Sequence, residues 1–448
     1  MPHSRSVVQT IYLVIHSVNT ECIIFYSEEI LSMSIDRLLH KDEIWMDTRD
    51  TFLSKWSTTI TMANDINIEC IALRHILLNE LESGEFSWGI PEKISINKAG
   101  TSKKRVVYLF GLRQRVVLGV LYRVLSEYFS SSVSGCCFSY KKGVSTMKAV
   151  EYIRSSNIEN NMYGVKLDIS AYFNSVASDR LQEMIDILFR GHESSVVCRL
   201  LKELYSIDTV SERGVHKKEY MSLIPGTAVA AFFANYCLYG LDLHFEEKEV
   251  VYARYSDDIL IFADTEEELE DHLGYVRTKL SEYGLSINPR KYEYFSPYDK
   301  IDFLGLTFDK STVDLHRNSL EKMKTKIRKS CKKGRKAIEE GKPFDQVARS
   351  VIHSFNHRVY KCYIEDKSKY GWAFYAFRYI NTSKSLREID FYFRDRLRYM
   401  KTGRNNSANI GKTPNEELDR LGYVSMVMMY KLFKTDFDVY CDRVSLLS

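Results

Sequence analysis

The chain has 448 residues, a hydrophobic fraction of 45% and a charged fraction of 27%, values typical of a folded globular protein rather than a disordered one. This length suits two or three domains, and the net charge of +4 does not by itself indicate any class of partner. The nine cysteines lack metal-type spacing, and the adjacent Cys136 and Cys137 suit neither a zinc site nor an ordinary disulfide. They predict reduced thiols in a cytoplasmic protein.

The first 32 residues contain an apolar stretch, Val7–Tyr26, which is interrupted by His16, Asn19 and Glu21. These polar residues make it too broken for a membrane span, so no membrane association is expected. Residues 1–32 are interpreted as an upstream extension outside the fold, and an ordinary extra helix is the alternative.

Hydrophobic periodicity predicts mixed helices and strands along the rest of the chain. In order, we expect helical structure over Asp36–Glu82, a strand at Arg105–Phe110, a helix at Arg115–Phe129, a strand at Tyr163–Ile169, helices at Asp179–Phe189 and Ser194–Ser206, a long apolar helix at Gly226–Leu243, a hairpin at Val250–Phe262, a helix at Glu266–Tyr283, a hairpin at Ile301–Phe308, and helices from Leu320 onwards. This mixture predicts an α+β fold with an antiparallel sheet.

Three acidic residues lie at the ends of apolar strand segments. Asp168 ends the run Val165–Leu167, and Asp257 and Asp258 lie at the tip of a hairpin with apolar flanks. An Asp-Asp pair alone is more often a plain polar turn, but apolar flanks would hold this one rigidly in a sheet. Carboxylates placed together repel one another unless a cation neutralises them, and Mg²⁺ takes oxygen ligands of this kind. The acids therefore predict a site for two Mg²⁺ ions, with Mn²⁺ as the alternative, suited to activating a 3′-hydroxyl and stabilising a leaving pyrophosphate.

Five motifs, in the same order along the chain, resemble those of reverse transcriptases. They are Lys166–Phe173, Ile224–Asn235, Tyr255–Asp258 (the Tyr-X-Asp-Asp motif), Gly284–Lys291 and the primer grip Phe303-Leu304-Gly305. Upstream, Lys103–Val107 and Gly135–Ser145 resemble the fingers motifs of the bacterial branch, which intron and retron enzymes share. The resemblance is close over residues 100–310, and the ordered set is much more specific than any single motif.

This resemblance implies a right-hand polymerase with fingers, a palm carrying the antiparallel sheet, a helical thumb and a helical C-terminal extension. The predicted division of the chain is 1–32 as the extension, 33–160 as N-terminal helices and fingers, 161–310 as palm with part of the fingers, 311–365 as a basic helical thumb, and 366–448 as the C-terminal extension.

By resemblance, Asp168, Asp257 and Asp258 are the catalytic and metal-binding acids, and the backbone carbonyl of Ile169 is a further metal ligand. The resemblance also implies a set of nucleotide-binding residues: Lys103, Lys104 and Arg105 for the triphosphate, Tyr172 under the sugar, Gly226, Asn235, and Lys291 as a candidate general acid for the pyrophosphate. An aromatic ring under the sugar would exclude a 2′-hydroxyl and so favour deoxynucleotides. The alternatives are core aromatics for Tyr172 and Phe173, a solvated turn for Lys103 and Lys104, and a surface lysine for Lys291.

The sequence departs from the family at two places in the second palm motif. Pro225 stands where the family usually has Gln, and Ala230-Ala231 replace the usual Ser-Pro. These changes put the template and nucleotide contacts of this motif in doubt, but they do not affect the three acids.

A strongly basic segment, Arg317–Lys336, follows the primer grip. Leu320, Met323 and Ile327 form an apolar stripe at helical spacing, which leaves the other faces to the cations. We expect nucleic acid to bind the lysines of this helix, Lys322, Lys326, Lys329, Lys333 and Lys336. A solvated charged helix is the alternative.

The sequence thus predicts an RNA-directed DNA polymerase with an RNA template, which could be a noncoding RNA, a DNA product and deoxynucleoside triphosphates as partners. A chain with its own C-terminal tail and no ribonuclease H or integrase signature resembles the defence-associated reverse transcriptases, which act against bacteriophage. The segment Ile380–Arg404 resembles the type 3 systems, in which two reverse transcriptases work with a noncoding RNA. A retron or intron enzyme, an RNA-dependent RNA polymerase and a non-catalytic nucleic-acid-binding scaffold are the alternatives. The template, the primer and the homo- or hetero-oligomeric state are left open.

Overall fold

The computed structural model describes residues 10–17, 20–27, 34–56, 60–97, 104–130, 132–144, 146–156, 162–360, 371–404 and 409–446. The described chain forms two compact units, the first ending at Ser296 and the second beginning at Pro297. Within these ranges, no helix is both long enough and apolar enough to cross a membrane.

The N-terminal segment contains a two-stranded antiparallel hairpin. Its strands are β1 (Thr10–Ser17) and β2 (Thr20–Ser27), with Thr10 opposite Ser27. The alternative of an ordinary extra helix is therefore wrong. That residues 1–32 lie outside the native fold stays a prediction.

The first unit is mainly helical and contains two four-stranded sheets in addition to the β1–β2 hairpin. Its helices are α1 (Asp42–Trp56), α2 (Ile60–Asn67), α3 (Arg74–Ser83), α4 (Leu112–Tyr128), α5 (Thr146–Ser155), α6 (Tyr172–Ser175), α7 (Ser178–Leu188), α8 (Val196–Tyr205), α9 (Val229–Tyr236), α10 (Tyr239–Glu247) and α11 (Glu266–Glu282). Its further strands are β3 (Glu92–Asn97), β4 (Lys104–Leu109), β5 (Tyr163–Asp168), β6 (Thr209–Glu212), β7 (Val215–Lys218), β8 (Tyr252–Tyr255), β9 (Asp258–Ala263) and β10 (Glu293–Phe295).

The central sheet has the strand order β10-β5-β9-β8 and is antiparallel throughout. Val165 and Leu167 in β5 and Ile259 and Ile261 in β9 are completely buried. Burial of apolar side chains is the main force that holds such a sheet together, which fixes the β5–β9 register. The α+β class with an antiparallel sheet is confirmed.

A second sheet has the order β4-β3-β6-β7, in which β3 and β6 are parallel and the other neighbours antiparallel. The sequence predicted β4 but not its three partners. All four residues of β7 are exposed, so this strand lacks the alternation of apolar and polar residues that sequence reasoning depends on.

The long helix predicted at Gly226–Leu243 is instead two helices, α9 and α10, with a break at Cys237-Leu238. The carbonyl of Asn235 accepts a hydrogen bond from the Leu238 N–H at 3.3 Å and another from the buried Arg254 guanidinium at 3.2 Å. A side chain that bonds into the carbonyl ladder in this way is a recognised cause of helix interruption.

The second unit begins with an antiparallel three-stranded sheet, β11-β12-β13, followed by helices. The sequence predicted the first two strands as a hairpin but not the third. The elements are β11 (Ile301–Phe303), β12 (Leu306–Asp309), β13 (Thr312–Leu315), α12 (Arg317–Glu339), α13 (Phe344–Tyr360), α14 (Trp372–Tyr379), α15 (Lys384–Thr402), α16 (Asn409–Lys412), α17 (Asn415–Arg420), α18 (Met426–Thr435) and α19 (Phe437–Ser445).

Candidate active site

The three predicted acids meet at one end of the central sheet. Asp168 is the last residue of β5 and Asp258 the first of β9, and the two are directly opposite each other in the antiparallel register. Asp257 lies in the turn between β8 and β9, and its backbone carbonyl accepts a hydrogen bond from the Ile169 N–H at 3.1 Å. The pairing of β5 with β9 therefore brings together acids that are far apart in the sequence.

Two neighbouring side chains bind Asp168, whose side chain is only 6% exposed. The ammonium group of Lys291 forms an ion pair with Oδ2, and the Asn288 amide donates to Oδ1 at 3.1 Å. The Asn288 N–H also donates to the Asp168 carbonyl at 2.7 Å. Lys291 thus lies at the acids, which favours a role there over the alternative of a plain surface lysine.

The electrostatics of the other two acids reflect crowding of negative charge. Burial, followed by the charges of Asp257 and Asp168, raises the pKa of Asp258 to about 6. The pKa of Asp257 is also raised, first by burial and then by Asp168, while Lys291 and Arg105 act in the opposite direction. Buried carboxylates that repel one another are favourable surroundings for a cation.

The metal ions themselves remain a prediction. Within the described ranges, no group of three or more His, Cys, Asp or Glu side chains is arranged closely enough to hold a metal ion. The donor chemistry nevertheless fits a divalent metal ion, because three half-buried or buried carboxylates converge here. One of them, Asp168, already pairs with a positive group, the Lys291 ammonium. The role of the Ile169 carbonyl as a further ligand also stays a prediction.

Arg105 and Lys104 are exposed residues of β4. The positive charge of Arg105 reaches Asp257, whose pKa it lowers, so this guanidinium lies within electrostatic range of the acids. Lys104 is not among the main charges that act on the pKa of Asp257. Lys103 lies outside the described residues.

The structure disfavours the predicted nucleotide contact of Tyr172. Tyr172 is 2% exposed, and its hydroxyl donates to the Ala234 carbonyl at 2.5 Å, which makes it a core residue. The next residue, Phe173, is only half-buried, and its ring lies edge-on to that of Tyr140 at 6.3 Å between centroids. Of the two adjacent aromatics, Phe173 is therefore the one with exposed surface.

Burial also disfavours the predicted nucleotide contact of Asn235, which is only 3% exposed. Its Oδ1 accepts from the Ser139 hydroxyl at 3.0 Å, and its Nδ2 donates to the Ser139 carbonyl at 2.6 Å. Both ends of the amide are therefore used to hold the segment before Tyr140, and the residue serves the protein rather than the substrate.

Gly226 has a backbone φ of +104°, and a Cβ there would lie 3.1 Å from the Val107 Cβ and 3.3 Å from the Tyr108 carbonyl oxygen. The close approach of this turn to β4 accounts for the glycine without any ligand. Gly226 also lines a cavity of about 400 Å³, together with Phe52, Arg115 and Tyr140. A ligand contact at Gly226 thus stays a prediction.

The primer-grip residues form the tight connection between β11 and β12 in the second unit. Leu304 and Gly305 both have positive φ, at 49° and 85°, as the favoured two-residue hairpin turns require. The Leu304 carbonyl accepts from the Tyr375 hydroxyl at 3.1 Å, and the Gly305 carbonyl from the His316 N–H at 2.9 Å. Phe303 is buried at 1% exposure, so it packs inside the unit and the turn alone is accessible.

The basic helix of the second unit is α12, and its faces divide as the sequence predicts. Leu320, Met323 and Ile327 are buried. The five lysines expected to bind nucleic acid are all exposed: Lys322, Lys326, Lys329, Lys333 and Lys336. Their accessibility is thus shown, while nucleic-acid binding stays a prediction.

Sequence reasoning missed several residues around the acids, namely Asn288, Ser139, Asp242 and Arg254. The strongest available signal was Arg254, a charged residue between Ala253 and Tyr255 in an apolar strand, since an arginine at such a position must be paired if it is buried.

An acidic cluster at the end of an antiparallel sheet, next to a lysine and an arginine, is chemistry suited to the transfer of nucleotidyl groups. Residues 96–308 match the family model described as "Reverse transcriptase (RNA-dependent DNA polymerase)". The matched segment, a little under half of the chain, thus resembles the domain of a nucleotidyltransferase of the RNA-directed DNA polymerase class.

Two solved telomerase structures show distant similarity. Apo telomerase from Candida tropicalis, truncated from the C-terminal domain, has a TM-score of 0.37 and 16% identity over 51% of this chain and 55% of that one. Telomerase from Candida albicans, in complex with the TWJ fragment of telomeric RNA, has a TM-score of 0.40 and 10% identity over 98% of this chain and 73% of that one. The chain thus spans about half the length of the first of these. No curated protein matches the sequence.

Proposed function

We propose that this protein is a reverse transcriptase that adds deoxynucleotides to a DNA strand on an RNA template. The observation that carries the proposal is the convergence of Asp168, Asp257 and Asp258 on paired strands, with Lys291 bonded to Asp168. The family match over residues 96–308 supports the same reaction.

Asp168, Asp257 and Asp258, with the Ile169 carbonyl, would hold two divalent ions, Mg²⁺ or alternatively Mn²⁺. When bound, such ions lower the pKa of a 3′-hydroxyl and neutralise charge on the phosphates. Burial, together with the charges of Asp257 and Asp168, raises the pKa of Asp258 to about 6, which is a reason for these residues to bind cations rather than to remain bare.

The chain's own cations would orient the triphosphate. Arg105, whose charge is felt at Asp257, would face the phosphates, with Lys104 and Lys103 as further candidates. Lys291 would donate a proton to the leaving pyrophosphate, since its ammonium group is held at the acids by Asp168. These roles suffice for nucleotidyl transfer, which depends mainly on positioning and charge neutralisation.

Phe173 takes over the role that the sequence assigned to Tyr172. Its half-buried ring follows Asp168 by five residues and lies against Tyr140, which also lines the cavity containing Gly226. An aromatic ring under the nucleotide sugar would leave no room for a 2′-hydroxyl. Exclusion of that hydroxyl favours a DNA product over the RNA-polymerase alternative.

Nucleic acid would be bound by both units. In the first, the cavity lined by Phe52, Arg115, Tyr140 and Gly226 combines aromatic rings with a cation, a combination that suits an unpaired template base. In the second, the Leu304-Gly305 turn would act as the primer grip and the exposed lysines of α12 would contact phosphates.

The test is deoxynucleotide incorporation on a primed RNA template by the wild type and by the double variant Asp257→Ala with Asp258→Ala. We expect the variant to lose at least about a thousandfold in rate, because charge stabilisation at the reacting phosphate is the main catalytic contribution, while its unfolding transition is retained. Glu267→Ala with Asp271→Ala, two exposed acids on α11, is the matched control and should retain full activity. Undiminished synthesis by the Asp257/Asp258 variant would refute the proposal.

A role in cytoplasmic anti-phage defence is a finer proposal, supported by the resemblance of Ile380–Arg404 to defence-associated enzymes. It includes a noncoding RNA as template and a companion reverse transcriptase as partner. Phage plating on bacteria that carry the complete locus tests it. Protection should require Asp257 and Asp258, and the RNA that purifies with the protein should be a single defined species. Equal plating with and without the locus would contradict the defence role but not the polymerase.

A further inference from the structure

The catalytic turn contains a residue in an unfavourable backbone conformation. Ser256, between Tyr255 and Asp257, has a φ of +62° and is 5% exposed. A positive φ is uncommon for residues other than glycine, asparagine and aspartate, and it costs roughly 1–2 kcal/mol. Such a conformation persists only where the surroundings determine it.

All three polar groups of Ser256 are bound by other parts of the first unit. Its N–H donates to the Ser139 hydroxyl oxygen at 2.9 Å, and its carbonyl accepts from Nη1 of Arg254 at 3.2 Å. Its own hydroxyl lies 3.2 Å from the Tyr140 hydroxyl. Three separate contacts on one residue leave it little freedom to leave the left-handed conformation.

Ser139 is itself fixed from behind. It is completely buried, and Asn235 bonds both its hydroxyl, at 3.0 Å, and its carbonyl, at 2.6 Å. The conformation of Ser256 is therefore linked to helix α9 through one hydroxyl group. The buried Asn235 amide therefore has a structural role: through Ser139, it helps to fix the conformation of Ser256.

Arg254 is completely buried and is paired with Asp242, which is also buried. Its Nε donates to Oδ1 of Asp242 at 2.7 Å and its Nη2 to Oδ2, and the Tyr252 hydroxyl donates to Asp242 at 2.7 Å. A buried ion pair adds little net stability compared with apolar residues, because both charges must be desolvated. A role in fixing one conformation is a better account of its presence here.

We propose that Ser139, Tyr140 and Arg254 are positioning residues that clamp Ser256 in its left-handed conformation and so present Asp257 and Asp258 in the geometry that nucleotidyl transfer requires. The proposal rests on the proposed function and deepens it. Because reacting groups must be aligned closely, a small shift of the turn lowers the rate even when substrate still binds.

The experiment measures kcat and KM for deoxynucleotide incorporation by the wild type, Ser139→Ala and Tyr140→Phe, together with their unfolding midpoints. Ser139→Ala should lower kcat about 10- to 100-fold, with KM within about threefold, as expected when a 1 Å misplacement costs up to about 10²-fold. Tyr140→Phe, which removes one hydroxyl from a residue that is 40% exposed, should lower kcat less and leave the unfolding midpoint unchanged. Tyr423→Phe removes a tyrosine hydroxyl that is bonded to Asp390 in the second unit, and it should leave incorporation unchanged.

A rescue experiment separates positioning from a general effect on stability. Glycine adopts a positive φ without the steric cost. The loss of kcat caused by Ser139→Ala should therefore be at least about fivefold smaller in a protein that also carries Ser256→Gly. A kcat for Ser139→Ala equal to the wild type, or an equal loss with and without Ser256→Gly, would overturn the clamp. If the wild type incorporates no deoxynucleotide at all, it is the proposed function that fails.

Discussion

At the scale of single residues, the site contains buried carboxylates whose charged forms destabilise the folded protein. Asp257 and Asp258 have raised pKa values because burial and neighbouring carboxylates disfavour their charged forms. Lys291 partly offsets this by pairing with Asp168. Such a cluster is typical of a functional site, where perturbed groups are retained for their chemistry rather than for stability.

Phe173 provides the residue-scale prediction. Phe173→Ala should remove the obstacle to a 2′-hydroxyl and raise ribonucleotide incorporation relative to deoxynucleotide by at least about tenfold, the scale of selectivity that pocket shape alone provides. Competition between the two nucleotide types on the same template measures it.

The control is Tyr172→Phe, which deletes only the hydroxyl bonded to Ala234. It should leave sugar selectivity unchanged and lower stability by about 1 kcal/mol, the usual net value of one hydrogen bond. If Tyr172→Phe incorporated ribonucleotides more readily and Phe173→Ala did not, the sugar contact would be assigned to Tyr172 instead.

The proximity of the acids to Lys291 and to the charge of Arg105 could be predicted because these residues belong to motifs that occur in a fixed order. The choice between Tyr172 and Phe173 could not, because it depends on the local turn. Ala171 has a φ of +46°, and this conformation directs the chain so that the first aromatic enters the core. Nothing in the residue types indicates a left-handed alanine.

At the scale of elements, the pairing of β5 with β9 is what assembles the site, and Gly164 is where that pairing is tightest. Gly164 is opposite Phe262, and a Cβ there would lie 2.6 Å from atoms of the buried Phe262 ring. Gly164→Ala should therefore destabilise the protein by about 1–3 kcal/mol, as overpacking of a core does. Urea unfolding measures the change.

Gly274→Ala on α11 is the matched control, since nothing lies within 4 Å of a Cβ there. An alanine is favoured over glycine inside a helix, so this variant should be as stable as the wild type or more so, by up to about 1 kcal/mol. Equal stability of Gly164→Ala and the wild type would show that β9 can move away from β5 without cost.

The basic helix α12 provides a second prediction at this scale. Lys326→Gln with Lys329→Gln should weaken nucleic-acid binding about tenfold or more in 0.1 M salt and reduce the slope of log affinity against log salt, by up to about 0.9 for each phosphate that is no longer neutralised. Lys248→Gln with Lys412→Gln, which removes two exposed lysines outside α12, should change neither quantity. If the slope of log affinity against log salt were unchanged in the α12 variant, these lysines would be solvent-exposed residues that do not contact phosphates.

Long amphipathic elements such as α4, α11 and α12 were predictable, because their apolar stripes extend over several turns. The strands β1 and β2, with eight residues each, and β3, with six, were also missed. The other missed strands are short: β10 has three residues, and β6, β7 and β13 have four each. A pattern of period two cannot be distinguished from chance over such lengths. The break between α9 and α10 was missed for a different reason, since its cause is Arg254, which is distant in sequence.

At the scale of the whole molecule, the acids belong to the first unit, and the primer-grip turn and the basic helix belong to the second. The family match extends over residues of both units. Sequence motifs could predict this order along the chain because each motif is local. The boundaries predicted at residues 160, 310 and 365 stay predictions.

The most direct test of the central claim is thermal unfolding of the wild type and of Asp257→Asn with Asp258→Asn, without metal and with 10 mM Mg²⁺ or Mn²⁺ (about the range in which weak carboxylate sites fill). Without metal, the variant should unfold at a higher temperature, because it lacks the burial of charged carboxylates and the repulsion between them that raise the pKa of Asp258. Metal should stabilise the wild type and leave the variant unchanged. A wild type that gains no stability from either ion, and that unfolds at the same temperature as the variant, would contradict a metal site at these acids.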